Sequence, residues 1–441
     1  MLTRRDVMIG GSVLAAATAA PAAVRSRHFV RITGARFNKD GALYPIAGTN
    51  MWYAAYLGAE APIGNLDRLR RELDRLTALG VDNVRILGSS EFSPLKNSMR
   101  PTFRDQTKNY NEALLRGLDH ALAEMGRRGM RAVIYLTNFW EWSGGMMTYL
   151  YWTNGGRYVD MNDPAHPWPE FADRSSEFYA SAPAVAMYHD YIRAVVSRRN
   201  TVTGQLYRDD PAIMAWQLAN EPRPGGSAEL GHAHLAAYLQ WIDKTARLIK
   251  SLDPNHLVST GSEGTQGCIE ESQCVVDAHS SPAVDYLTAH IWPQNWSWAD
   301  PKDLAGTWPT TERNTHDYIA KQVAVAKRLN KPLVIEEFGF PRDGGSFDPG
   351  TPTTFKDRFY ELIYGAVLDS VRSGGPIQGC NFWGWGGEGR AQHPDHHFVR
   401  GDTSYVGDPP HEPQGWYSVF DTDASTRSVI RNYASAVKAA A

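Results

Sequence analysis

Two stretches of this chain end an apolar run on a carboxylate. Trp216-Gln217-Leu218-Ala219-Asn220-Glu221-Pro222 is one, and Pro332-Leu333-Val334-Ile335-Glu336-Glu337-Phe338-Gly339 is the other. A hydrophobic strand that stops on Glu delivers a carboxyl group to the end of a sheet, and Pro222 cannot continue the ladder. Two such groups facing one another are what glycosidic cleavage needs. One protonates the leaving oxygen, and the other attacks the anomeric carbon or activates a water. Arg85, in Asn83-Val84-Arg85-Ile86-Leu87, is a cation able to hold one of the two carboxyls ionised. Asn220 beside Glu221 is placed to hydrogen-bond a sugar hydroxyl, and His290 and Trp383 each end a further strand-like run.

The elements that must position these residues alternate. After an Asn38-Lys39-Asp40-Gly41 turn, expected to join His28–Ile32 to Tyr44–Gly48 as a hairpin, the second arm runs on to Trp52. Seven more strand signals follow at 83–87, 132–136, 213–218, 257–260, 286–289, 333–335 and 378–382. Helical periodicity separates most of them, as in Leu66, Leu69, Leu73 and Leu76, with Asn65 as N-cap and Gly80 as stop. Eight strands alternating with helices predict an α/β fold, a single (β/α)8 TIM barrel with long loops at its C-terminal face. An open doubly wound sheet is the alternative, but no glycine-rich phosphate loop accompanies it. The long connections run from Phe139 to about Pro183 and from Gly386 to about Trp416, and both follow strands, which puts them over the mouth of the barrel.

Composition narrows the partners. The 441 residues are 42% hydrophobic and 21% charged with a net charge of −3, which describes a globular protein and gives no surface for tracking phosphates, so nucleic acid is excluded. Fourteen Trp and 20 Tyr exceed what packing asks for and suit flat contacts with sugar rings. Thr3-Arg4-Arg5-Asp6, an apolar stretch from Val7 to Ala20, and Ala20-Pro21-Ala22 predict a twin-arginine signal peptide over 1–22. Residues 23–441 are then one catalytic domain, periplasmic or secreted, acting as a monomer with no membrane insertion. Cys268 and Cys274 either close a short loop or remain thiols, and Cys380 sits in an apolar run that buries it. His393, Asp395, His396 and His397 cluster in the second long connection without metal-ligand spacing, so rim residues and no metal are expected.

These features resemble glycoside hydrolase family 5, a retaining family of (β/α)8 barrels. Asn-Glu-Pro after strand four, Glu-Phe-Gly after strand seven, Arg85, His290 and Trp383 carry the likeness. Gly48–Tyr53, Asn83–Gly88, Asn138–Gly145, Trp216–Pro224, His290–Trp292 and Gly415–Asp421 resemble its β-mannanase branch, which includes exo-acting β-mannosidases. The resemblance implies that Glu221 is the acid/base and Glu337 the nucleophile. It also implies that Trp52, Arg85, Asn138, Trp140, Asn220, His290, Trp292 and Trp383 contact substrate, and that no cofactor is needed. Glu336 is then expected on the other side of its strand, since side chains alternate. Two departures stand out. Many members carry a tyrosine, donating to the nucleophile, where this chain has Trp292; its indole either takes over that bond or shapes the sugar pocket. Many also carry a histidine near Asn138. The expected substrate is β-1,4-mannan or its oligosaccharides, with exo action favoured because the 386–414 connection could wall off one end of the groove. An endo-mannanase, a β-glucanase and a non-catalytic carbohydrate-binding barrel are the alternatives.

Overall fold

The computed structural model describes residues 28–441, so the expected signal peptide lies outside the described residues. The chain enters through a small antiparallel meander of β1 (Arg31–Thr33), β2 (Arg36–Lys39) and β3 (Ala42–Leu43). Asp40 and Gly41 have φ of 55° and 87°, the pair of left-handed residues that a two-residue hairpin turn requires. That turn pairs short flanks, Lys39 with Ala42 and Asn38 with Leu43. The expected hairpin arms are therefore corrected: Arg31 pairs Asn38 within the meander, and the chain from Ile46 onward belongs to the barrel.

Eight parallel strands follow, each where an apolar run predicts one. They are β4 (Ile46–Asn50), β5 (Asn83–Leu87), β6 (Arg131–Tyr135), β7 (Ile213–Gln217), β8 (Leu257–Ser259), β9 (Leu287–Ile291), β10 (Leu333–Phe338) and β11 (Ile377–Phe382). Their order is β8-β7-β6-β5-β4-β11-β10-β9, and a parallel bridge between Ser259 and Tyr286 joins the two ends into a ring. Every residue of these strands is buried, as parallel strands must be when helices cover one face and a packed interior the other. The fold is a (β/α)8 barrel.

The surrounding helices follow their apolar stripes. Leu66–Ala78 begins at Asn65, whose side chain accepts from the Arg68 amide at 2.9 Å, and Gly80 beyond its end takes φ of 82°. Sequence periodicity misses the helices Ala182–Val196, Ser272–His279 and Ala424–Ala439. Tyrosine and small residues carry much of their buried faces, as with Tyr188 and Tyr191 in the first and Tyr433 and Ala434 in the last.

The two long connections are built differently. The first contains the short turns and helices Glu141–Ser143, Gly145–Thr153, Glu170–Ser175 and Ser176–Ala180. The second runs irregularly between β12 (Trp385–Gly387) and β13 (Val419–Phe420), which pair with each other. Its shape is held by a buried knot: Asp408 accepts from the Gly415 and Tyr417 amides at 2.7 and 2.6 Å and from Ser418 Oγ at 2.5 Å. Lys356 Nζ donates to the carbonyls of Tyr417 and Ser418, and burial lowers its pKa to about 7. His393 pairs with Asp402 and His396 with Asp348 and the Gln414 carbonyl, so these histidines pin the loop at its rim. Cys268 and Cys274 form a disulfide, and Cys380 is a buried thiol. Among the described residues no helix is long and apolar enough to cross a membrane.

Candidate active site

Glu221 sits four residues past the end of β7 with φ of 51°, a region that side chains other than glycine enter at a cost. Its amide donates to the Gly261 carbonyl at 2.9 Å, and Pro222 follows at once. This turn points the carboxyl group into the barrel mouth rather than along the strand.

Glu337 reaches the same place from β10, where the register against β9 shifts between Ile335 and Glu337. The shift is a bulge, and a bulge suspends alternation locally. Glu336 therefore does not point to the other side of its strand, as alternation would have it. Its Oε2 lies 3.4 Å from Arg85 Nε and accepts from Gln217 Nε2 at 2.6 Å, so both carboxyls of the pair reach the same guanidinium.

Arg85 is fully buried and donates from all three guanidinium nitrogens. It bonds Glu337 through Nη1, Gln217 Oε1 through Nε at 2.7 Å and Asn220 Oδ1 through Nη2 at 2.8 Å, and it stacks over Tyr135. Asn220 in turn donates to Asn138 Oδ1 at 3.2 Å, and Asn138 also receives the Trp140 amide at 3.1 Å. Glu221 accepts from His290 Nδ1 at 2.6 Å, from the Trp140 indole and from the Trp292 indole at 3.3 Å. His290 Nδ1 lies 3.2 Å from Glu337 Oε2 as well, so one imidazole bridges the two strand ends.

Donor atoms of Glu221, His290 and Glu337 all fall within 4.8 Å of one another, the one group of three among the described residues close enough for a metal. The same closeness has a simpler meaning for two carboxyls. Retaining glycosidases hold them about 5–5.5 Å apart, whereas inverting ones leave about 6.5–9.5 Å for a water.

The three groups share their protons. Burial pushes Glu221 up, but the hydrogen bond and charge of His290, together with Arg223, bring it down to about 2. Burial raises Glu337 to about 8 against the pull of His290 and Arg85. His290 resists burial and rises to about 10 because Glu337 and Glu221 face it. At neutral pH the two carboxyls thus hold one proton between them, which belongs to the pair. Because Glu337 is raised above its ordinary 4.5, its contribution to stability is complete below pH 4.5 and is lost as pH rises through about 8. The melting temperature of the native chain should therefore fall more steeply across that window than that of Glu337→Gln. Parallel melting curves for the two proteins would contradict the shift.

A pocket of about 560 Å³ opens above these carboxyls. The first long connection lends it Trp140, Trp142, Met161 and the exposed Trp168; the second lends Pro409, His411, Glu412 and Trp416. Both connections thus do lie over the barrel mouth.

A family model described as GH family 5 beta-mannosidase-like matches residues 27–441. The chain belongs to this family. A glycoside hydrolase family 5 mannosidase from Rhizomucor miehei superposes with a TM-score of 0.86 at 34% identity, covering 94% of this chain and 98% of that one. A variant of that protein, solved in complex with mannosyl-fructose, gives 0.85 with the same identity and coverage. Mannan endo-1,4-beta-mannosidase 1 of Arabidopsis thaliana is 27% identical over 375 residues, 80% of this chain and 81% of that protein.

Within this family 5 glycoside hydrolase the residues singled out from sequence divide into three groups. Glu221, Glu337, Asn220, Trp140, Trp292 and Trp383 line the pocket. Arg85, Asn138 and His290 stand behind it and hold the others in place through the bonds above. Trp52 does neither: it is buried, with its ring 5.6 Å from that of Trp142 in an edge contact, and Trp142 lines the pocket where Trp52 does not. Trp292 lines the pocket and its indole N–H goes to Glu221, not to Glu337. Sequence reasoning passed over Arg223 and Glu263. Arg223 pairs with Glu263 at 2.6 and 2.8 Å and stacks over Trp140 and Trp168. Arg223 lies inside the quoted Trp216–Pro224 motif, and Glu263 stands four residues past β8, so strand-end position was an available signal. His411 and Glu412 lie in an aperiodic loop that offered none.

Proposed function

We propose that this glycoside hydrolase is a retaining exo-β-mannosidase, releasing single mannose units from the non-reducing ends of β-1,4-mannan oligosaccharides. The separation of Glu221 and Glu337 carries the retaining half of this reading. Glu337 attacks the anomeric carbon as the glycosidic C–O bond breaks, while Glu221 gives its proton to the departing oxygen. Glu221 then takes a proton from water, whose oxygen attacks the anomeric carbon and frees Glu337. The one carboxyl proton of the pair is the number the first step requires. It must lie on Glu221, and Arg85 stabilises the anion this leaves on Glu337.

The mannose assignment is supported by the family and by the names of the relatives, a mannosidase and mannan endo-1,4-beta-mannosidases. Exo action is supported by the strand-eight connection, an ordered wall knotted at Asp408 that brings Pro409, His411 and Glu412 against the pocket. The arginine pair and apolar stretch at the N-terminus support export to the periplasm or medium.

The test is the early product profile on β-1,4-mannohexaose, with cellohexaose alongside. Mannose plus mannopentaose is expected. A spread of mannobiose, mannotriose and mannotetraose would replace exo with endo action, and cleavage of the glucan alone would overturn the sugar.

A further inference from the structure

The wall of the pocket contains polar groups that the reaction above does not use. Glu141 is completely buried behind the lining, and neither carboxyl oxygen has a hydrogen-bond partner among the described residues. Its Oε1 faces His411 Nδ1 at 3.8 Å, and that nitrogen has no hydrogen-bond partner either. On the far side of the imidazole, His411 Nε2 faces Glu412 Oε1 at 3.7 Å, and Glu412 Oε2 is buried and unpartnered. His411 and Glu412 line the pocket, with the His411 ring 6.3 Å from that of Trp142. Buried polar groups are normally satisfied, and each one left unpaired costs free energy that a ligand can recover.

We propose that Glu141, His411 and Glu412 form a hydroxyl-reading array for the terminal sugar, in which His411 and Glu412 touch the substrate and Glu141 is a positioning residue behind them. A gap of 3.7 Å between a ring nitrogen and a carboxyl oxygen is too long for a direct hydrogen bond and leaves both atoms free to bind one inserted hydroxyl, which can donate to one and accept from the other. Glu141, facing Nδ1, decides which ring nitrogen carries the hydrogen and so what Nε2 offers to the pocket.

The electrostatics favour a neutral ligand over an ion. No cationic side chain pairs with Glu141 or Glu412 other than His411 itself among the described residues. Burial raises both carboxyls, Glu412 further through Asp408 and Glu221, and lowers His411. Groups held near neutrality, each with a donor and an acceptor, match sugar hydroxyls. They do not match a metal, and these three are not among the donor sets close enough to hold one.

This inference rests on the exo-mannosidase reading, and the experiment separates the two. The native enzyme and the variants His411→Ala, Glu412→Gln, Glu141→Gln and Glu141→Gln/His411→Ala are assayed on 4-nitrophenyl β-mannoside and on its 3-, 4- and 6-deoxy analogues. The native enzyme should lose on the order of 100-fold in kcat/KM on at least one analogue. His411→Ala and Glu412→Gln should lose a similar factor on the parent and little more on that analogue. Glu141→Gln should weaken parent hydrolysis severalfold, and should add nothing once His411 is Ala, a coupling that a merely structural role would not produce. A native enzyme indifferent to all three deletions overturns the array whatever the variants do. So do variants whose losses simply add to those of the analogues. An enzyme that leaves mannosides and mannohexaose alike uncut would instead remove the underlying function.

Discussion

Replacing Glu337 with Ala is expected to lower kcat on mannosides by on the order of 10⁵-fold while leaving the barrel folded, because no other group can form the glycosyl-enzyme. The geometry allows a sharper version. Shortening residue 337 opens room beside Arg85 Nη1, whose bond to the carboxylate is lost. A small anion such as azide can enter there and attack from the vacated face. With an activated aryl mannoside, azide should restore turnover and give the α-mannosyl azide, since a single displacement inverts the centre. Residual activity within tenfold of the native enzyme would remove Glu337 from the nucleophile's role. A β-azide would exchange the roles of the two glutamates.

Glu221→Ala should behave in the opposite sense. Loss of the proton donor costs on the order of 10⁴-fold for an oligosaccharide, whose departing alkoxide needs the proton. A dinitrophenyl leaving group does not need it, so the covalent intermediate should still form and then accumulate for want of a base. The expected trace is a burst of phenolate close to one equivalent, followed by slow turnover. Azide should accelerate the slow phase and yield the β-mannosyl azide, the product of two inversions. Equal losses on both substrates, with no burst, would show that Glu221 does not serve as acid and base. His290, Trp140 and Trp292 lose one acceptor in this variant but keep their places in the wall, so the fold should survive.

How far the chain could be read in advance follows from which signals are local. The barrel was legible because its eight strands are short apolar runs, buried on both sides, and because Asn-Glu-Pro and Glu-Phe-Gly stand at strand ends where a carboxylate has few structural reasons to be. The placement of Arg85 beside Glu337 was legible for the same reason. Glu336 was not. Alternation is a property of an undisturbed strand, and the bulge at Ile335–Glu337 arises from pairing with β9, some 45 positions earlier, about which the local sequence is silent. Trp52 was assigned to the sugar from its motif, but a buried ring packed edge-on against Trp142 differs from one lining the pocket only in three dimensions. His411 and Glu412 had no periodic frame at all, since their segment is shaped by the Asp408 knot and by Lys356.

The left-handed backbone at Glu221 bears on how this enzyme could evolve or be engineered. The residue assigned as acid and base occupies a conformation that asparagine or glycine would adopt more comfortably. Selection for thermal endurance alone would push that position away from glutamate and toward an inactive, sturdier chain. Endurance compatible with turnover has to be sought elsewhere, in surface helices and loop anchors remote from the barrel mouth, where a more stable backbone does not exact the loss of the acid.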